Sequence, residues 1–284
     1  MKSTVLAALA AAFATTAIAQ APAPVPETPA AAPKAADWRT IDPDLLLVID
    51  TNKGRILVEL VPEAAPAHVQ RIQELARAHF YDGLTFFRVI EGFMDQTGDP
   101  QNTGIGGSDK PDLAAEFSFW RAPETPFVTL QDDMVAESGF IRSLTVTSQS
   151  MNLAPFMNGR VRGWALYCPG VAAMARAEDP NSANSQFFLM RDRYPRLETR
   201  YTAWGRVVSG QAAVLAIKVG EPVADPQDKM ERVRLASDLP EAQRPKVRVI
   251  DPRSAWLKAE VVRVKAVKGT EFSVCDVNIP AEVK

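Results

Sequence analysis

Short apolar or alternating segments recur from residue 45 to residue 236 with turn residues between them, and only two stretches in that span carry helical spacing. That rhythm cannot fill a helical bundle, and it lacks the strand-helix alternation of a parallel sheet. Residues 45–50 and 55–60 flank Thr51-Asn52-Lys53-Gly54, whose Asn and Gly suit a tight turn, so they pair as a hairpin. Pro66 suits a first helical turn, and Val69, Ile72, Leu75 and Ala76 keep helical spacing until Tyr81-Asp82-Gly83 breaks it. Strand segments resume at 84–90, 92–97, 170–176, 185–190 and 202–208, a second helix covers 211–219, and a last strand covers 230–236. The expected fold is mainly β, a closed antiparallel barrel capped by two α-helices.

This pattern occupies residues 44–239, interrupted at about 119–168 by a region of mixed polarity that contains Pro123, Pro126 and Pro155. A loop of that length is either functional or has structure of its own, and it reads as an insertion. Residues 240–284 form a C-terminal extension, where Leu257, Val261, Val264 and Val267 fall near helical spacing and suit packing back on the barrel. At the other end, Lys2, an uncharged apolar stretch over 5–18 and Ala17-Ile18-Ala19 make residues 1–19 a secretory signal peptide. The apolar stretch is shorter than the roughly 20 residues of a membrane span, so no stable membrane insertion is expected after cleavage. Residues 20–43 begin as a nearly pure Ala/Pro stretch and read as a leader or linker. The expected location is periplasmic or secreted.

With 32 basic and 34 acidic residues and no basic cluster, the chain has no footprint for nucleic acid. Its two histidines, His68 and His79, lack cysteine or acidic neighbours at zinc-ligand spacing, and a partly exposed polar role is expected of both. No Gly-x-Ser-x-Gly elbow is present. Metal, triad and cofactor chemistry are therefore not expected. Cys168 and Cys275 are the only cysteines; an oxidising compartment permits a disulfide between them, and two unpaired buried thiols fit equally well.

The chemistry concentrates in residues 86–100, FFRVIEGFMDQTGDP, which place Arg88 on an apolar, aromatic strand and return with Phe93, Met94 and Gln96. Taken alone, Arg88 reads as a salt bridge to Glu91 or Asp95. If the two segments pair, a cation and an amide stand together on an apolar wall.

The segment resembles the cyclophilin signature Phe-His-Arg-Val-Ile-x-Gly-Phe-Met-x-Gln-Gly-Gly-Asp, matching at Phe86, Arg88, Val89, Ile90, Gly92, Phe93, Met94, Gln96, Gly98 and Asp99. Ser185-Gln186-Phe187-Phe188, Met174-Ala175, Trp204-Gly205-Arg206-Val207, Phe80-Tyr81-Asp82-Gly83 and Gly220-Glu221-Pro222 resemble further family blocks in the same order. The resemblance implies a cyclophilin-like barrel and peptidyl-prolyl cis/trans isomerase activity on proline-containing polypeptides, with exported proteins as folding clients. It implies Arg88 as the catalytic arginine and Gln96 as a substrate-orienting amide. Phe93, Met94, Phe188 and Leu197 would wall the proline pocket, Ala175 and Gln186 would line the substrate channel, and Tyr201 falls where many members have histidine. Four positions depart from the family pattern: Phe87, Thr97, Arg176 and Arg196. The insertion and tail favour an additional protein partner.

Overall fold

The computed structural model describes residues 31–284, so the expected signal peptide and the first part of the leader lie outside the described residues. Strands β1 (Trp38–Thr40), β2 (Leu46–Thr51) and β3 (Gly54–Leu60) precede helix α1 (Pro66–Arg77), followed by β4 (Arg88–Ile90) and β5 (Met94–Thr97). The insertion supplies β6 (Phe119–Arg121), β7 (Phe127–Asp132), β8 (Ala136–Ile141), β9 (Leu144–Gln149) and β10 (Val161–Ala165). Then come β11 (Val171–Met174), β12 (Phe187–Met190), β13 (Ala203–Ser209), helix α2 (Gln211–Ala216) and β14 (Met230–Leu235). The tail forms β15 (Val247–Ile250), α3 (Ala255–Lys268) and β16 (Ala281–Val283). Strand β1 falls inside the stretch assigned to the leader, and it is held by antiparallel pairing with β15.

The main sheet has eight strands in the order β14-β2-β3-β13-β11-β12-β5-β4. Its inner face packs Leu47, Ile49, Ile56, Val58, Phe187, Leu189 and Trp204 against Val69, Ile72 and Leu75 of α1 and Val214 of α2. The expected closed barrel is not reached as a regular ladder: the eight-stranded sheet is curled but open, and its edges meet through the isolated Thr85–Lys229 bridge and backbone hydrogen bonds from Gly83 to Met230, Phe86 to Asp228 and Met230 to Leu84. The reason lies in the segment before β14. Gly220 bridges Val89, and Val223 donates to the Phe87 carbonyl at 2.9 Å, so residues 220–223 occupy the edge of β4 that closure would need. On its other edge, β4 begins its regular pairing with β5 at Arg88 rather than at residue 84.

The outer face is covered too, which explains why β2 is an apolar run rather than an alternation. Leu46, Val48 and Leu57 pack with Phe140 of the insertion and Val249, Leu257, Val261 and Val277 of the tail. Farther round, Met94, Ala173, Phe188 and Met190 pack with Phe119, Ile141, Leu144 and Val146. The insertion is thus a five-stranded antiparallel sheet, β6-β10-β9-β8-β7, laid on the back of the main one. Its last residue and the tail are joined by a Cys168–Cys275 disulfide with the Cα atoms 5.3 Å apart, which decides between the two readings of the cysteines. The tail is also tied to the sheet through β1, where Arg39 makes a two-pronged ion pair with buried Glu59 of β3.

Candidate active site

The register of three strands builds the site. On β4 and β5, Arg88 stands opposite Gln96 and Ile90 opposite Met94; on β5 and β12, Gln96 stands opposite Phe188 and Met94 opposite Met190. Side chains alternate between faces, so Arg88, Gln96 and Phe188 form one row across the outer face, while Val89, Phe187 and Leu189 enter the core. Gly98 ends β5 with φ of +88°, and a Cβ there would lie 2.5 Å from the Ser185 carbonyl oxygen. Only glycine lets β5 approach the start of β12 so closely. Its neighbour Thr97 is accommodated inside the sheet, where its hydroxyl donates to the Thr85 carbonyl at 2.8 Å.

Two adjoining cavities open on this row. The smaller, about 210 Å³, is lined by Arg88, Phe93, Met94, Gln96, Ala175, Arg176, Phe188, Leu197 and Tyr201. It therefore gathers eight of the nine residues singled out in the sequence. The ninth, Gln186, lines the larger cavity of about 380 Å³, which shares Gln96, Ala175 and Arg176 with the first. A hydrogen-bond chain joins them: Arg88 Nη1 donates to Gln96 Oε1 at 3.3 Å, Gln96 Nε2 to Gln186 Oε1 at 2.9 Å, and Gln186 Nε2 to the Gly106 carbonyl at 2.8 Å. Both amides have their donors and acceptors aligned by their neighbours, which fixes the polar rim. The apolar wall is equally constrained, because Phe188 stacks on Tyr167 at 6.4 Å and meets Tyr201 edge-on at 5.9 Å. No residue of the insertion lines the smaller cavity.

The family model for cyclophilin type peptidyl-prolyl cis-trans isomerases matches residues 46–237. A probable peptidyl-prolyl cis-trans isomerase of Brucella suis is 36% identical over 190 residues, which is 63% of this chain and 74% of that protein. The chain belongs to the cyclophilin-type peptidyl-prolyl cis-trans isomerases. The mouse peptidyl-prolyl cis-trans isomerase-like 3 is 29% identical over 164 residues, 58% of this chain and 76% of that one. Among solved structures, the cyclophilin AquaCyp293 from Hirschia baltica matches with a TM-score of 0.79 at 33% identity, covering 87% of this chain and 93% of that chain.

In this cyclophilin the acids near Arg88 in sequence are not its partners. Glu91 and Asp95 both pair with Arg191, at 2.8 and 2.9 Å. Arg88 instead donates Nε to Glu221 Oε1 at 2.6 Å, a contact across 133 residues for which the sequence holds no local signal. Arg191 is buried and also donates to the Val214, Leu215 and Ile217 carbonyls at the end of α2, so it satisfies that helix terminus as well as Asp95.

Burial pushes the Asp95 carboxyl up from an ordinary 3.8 to about 7; the Arg191 hydrogen bond and charge pull the other way, and the charges of Glu91 and Asp228 add to the rise. A carboxyl raised in the folded state keeps a proton that the unfolded chain has already released. Its stabilising contribution is therefore full below about pH 4 and is lost as pH rises through about 7. Carboxylates held below their ordinary value, Asp50 and Asp82 among them, act in the opposite sense only in more acid solution. Urea unfolding of the wild type should show stability declining between about pH 4 and 7, and Asp95→Asn should flatten that decline. A parallel Asp95→Asn curve would sink this account.

Arg176, one of the departures from the family pattern, is anchored by backbone: Nε donates to the Arg200 carbonyl at 3.0 Å and Nη1 to those of Ala177 and Glu178. Its guanidinium lies 4.6 Å from the Tyr201 ring centroid, so the cation roofs the junction of the two cavities. His68, expected to be partly exposed, is fully buried, with Nδ1 2.6 Å from Glu116 Oε2. It faces inward from α1 because that helix lies flat on the sheet. Among the described residues, no group of three or more His, Cys, Asp or Glu could hold a metal, and no helix is long and apolar enough to cross a membrane.

Proposed function

We propose that Arg88 is the catalytic residue for rotation about X-Pro bonds and that the smaller cavity seats the proline ring. The observation that carries this reading is the single row of Arg88, Gln96 and Phe188, with a cation, an amide and an apolar wall on one face. Rotation about an X-Pro bond breaks amide resonance against a barrier of roughly 20 kcal/mol, with no covalent bond made or broken. In the twisted state the prolyl nitrogen becomes pyramidal and regains its lone pair. A fixed guanidinium donates to that lone pair but gains little from a planar amide, so it binds the transition state selectively. Phe93, Met94, Phe188 and Leu197 hold the pyrrolidine ring, Tyr201 closes the wall, Gln96 holds the carbonyl side, and Ala175 and Gln186 guide the preceding residues. Isomerisation of an Ala-Pro peptide, followed by NMR exchange with Arg88→Ala as control, tests these roles.

The natural substrates in this reading are proline-containing polypeptides exported from the cytoplasm, with residues 1–19 as the signal and the mature protein periplasmic or secreted. The Cys168–Cys275 disulfide supports this, since such bonds persist in oxidising compartments. The expected product in a periplasmic fraction begins at Gln20; a protein retaining Met1 in the cytosol would overturn the localisation. The additional partner expected of the insertion has a contact point at Trp120, which is 46% exposed with the guanidinium carbons of Arg162 and Arg160 at 4.8 and 5.2 Å from its ring.

A further inference from the structure

We infer that Glu221 is a positioning residue for the isomerase reaction, holding the Arg88 guanidinium in its productive orientation; this rests on the assignment of Arg88 above. Arg88 is a long side chain on a short edge strand, with 36% of the side chain exposed. Unrestrained, it would spread over several rotamers, and each transition state would have to order it. Two contacts remove that freedom. Glu221 Oε1 accepts from Nε at 2.6 Å and Gln96 Oε1 accepts from Nη1 at 3.3 Å, while Nη2 meets no protein acceptor among the described residues. The guanidinium is gripped at two points and keeps one nitrogen for substrate.

The backbone that carries Glu221 is built to put it there. Val89, next to Arg88, exchanges hydrogen bonds with Gly220 at 2.8 and 2.9 Å, and the Phe87 carbonyl accepts from Val223 at 2.9 Å. Residues 220–223 are thus pinned on both sides of Arg88. The turn is tight: a Cβ on Gly220 would lie 2.6 Å from the Val223 Cα and 2.8 Å from the Pro222 carbonyl oxygen. Stability gives no comparable reason for the pair, because the Glu221 side chain is 56% exposed and such exposed ion pairs contribute little. It stands instead beside the cavity that seats the substrate.

A carboxylate at Nε has a second effect, since its negative charge weakens the field Arg88 offers to the prolyl nitrogen. Position and charge therefore act in opposite directions, and two variants separate them. Glu221→Ala removes the acceptor and should lower kcat/KM for an Ala-Pro peptide about 10-fold, in kcat rather than KM. Glu221→Gln keeps an acceptor oxygen without the charge and should retain activity within about 3-fold of wild type or exceed it. In an Arg88→Ala background, Glu221→Ala should have no further effect. The Arg88 Nε–H resonance gives a readout independent of turnover: it should sit downfield in the wild type and move upfield in Glu221→Ala. Wild-type kcat in Glu221→Ala alongside a strongly impaired Arg88→Ala would overturn the inference, as would equal losses in Glu221→Ala and Glu221→Gln. An unimpaired Arg88→Ala would instead bring down the assignment of Arg88 on which it rests.

Discussion

Replacing Arg88 by alanine should lower kcat/KM for an Ala-Pro peptide by about 100- to 1000-fold while KM changes only a few-fold. The split follows from where each interaction acts. The apolar wall of Phe93, Met94, Phe188 and Leu197 holds the proline ring equally well before, during and after rotation, so it governs ground-state affinity. Arg88 alone meets a group that exists only in the twisted state, and its removal should appear in kcat. Lysine at this position should rescue little, because its donors radiate from a single nitrogen, whereas Glu221 and Gln96 are bonded by two separate nitrogens of a planar fork. Exchange spectroscopy at several peptide concentrations measures both constants. Retention of kcat within 10-fold of wild type would show that Arg88 is only half of a surface ion pair.

Removing the disulfide, as Cys168→Ala with Cys275→Ala, should cost about 2–5 kcal/mol of stability and leave isomerase activity nearly unchanged. The bond closes a loop of 107 residues, which places it near the upper end of what a cross-link gives by restricting the unfolded chain. It joins the insertion and the tail, both of which lie outside the main sheet. The inner core is built from α1, α2 and the inward residues of the eight strands, and neither cysteine belongs to it. Thermal unfolding with and without reductant, paired with the peptide assay, checks both halves of the expectation. Equal loss of activity and stability would mean that the outer cover holds the site in shape.

Much of the inner architecture could be read from the sequence because its code is local. The turn at Thr51-Asn52-Lys53-Gly54, the helical spacing after Pro66 and the strand of residues 230–236 each declare themselves within a few residues, and all three occur in the fold. The candidate site residues came from the family resemblance, and what spacing adds is local: Arg88 and Gln96 face each other because two short strands are joined by a turn that carries Phe93. What escaped depends on contacts across long separations. Arg191 gives nothing in its neighbourhood to indicate that it would claim Asp95, 96 residues away, and leave Arg88 to Glu221. The insertion lacks clean alternation because one part of its outer face is buried against the tail at Phe140 while another is exposed at Trp120. The expected closed barrel is not borne out as a continuous sheet: the eight strands stay open, with residues 220–223, which no periodicity marks, along the edge of β4.

The two-sided burial of the main sheet sets an order on biosynthesis. In chain order the inner core is complete once β14 is present, yet Leu46, Val48 and Leu57 on the opposite side have Phe140 of the insertion over them but lack the rest of their cover until residues 247–279 follow. Strand β1, among the first described residues to be made, must wait for β15 before it has a partner. The cross-link between Cys168 and Cys275 therefore acts as a final latch: oxidation seals the chain only after nearly all of it has been translated and the tail has come to rest.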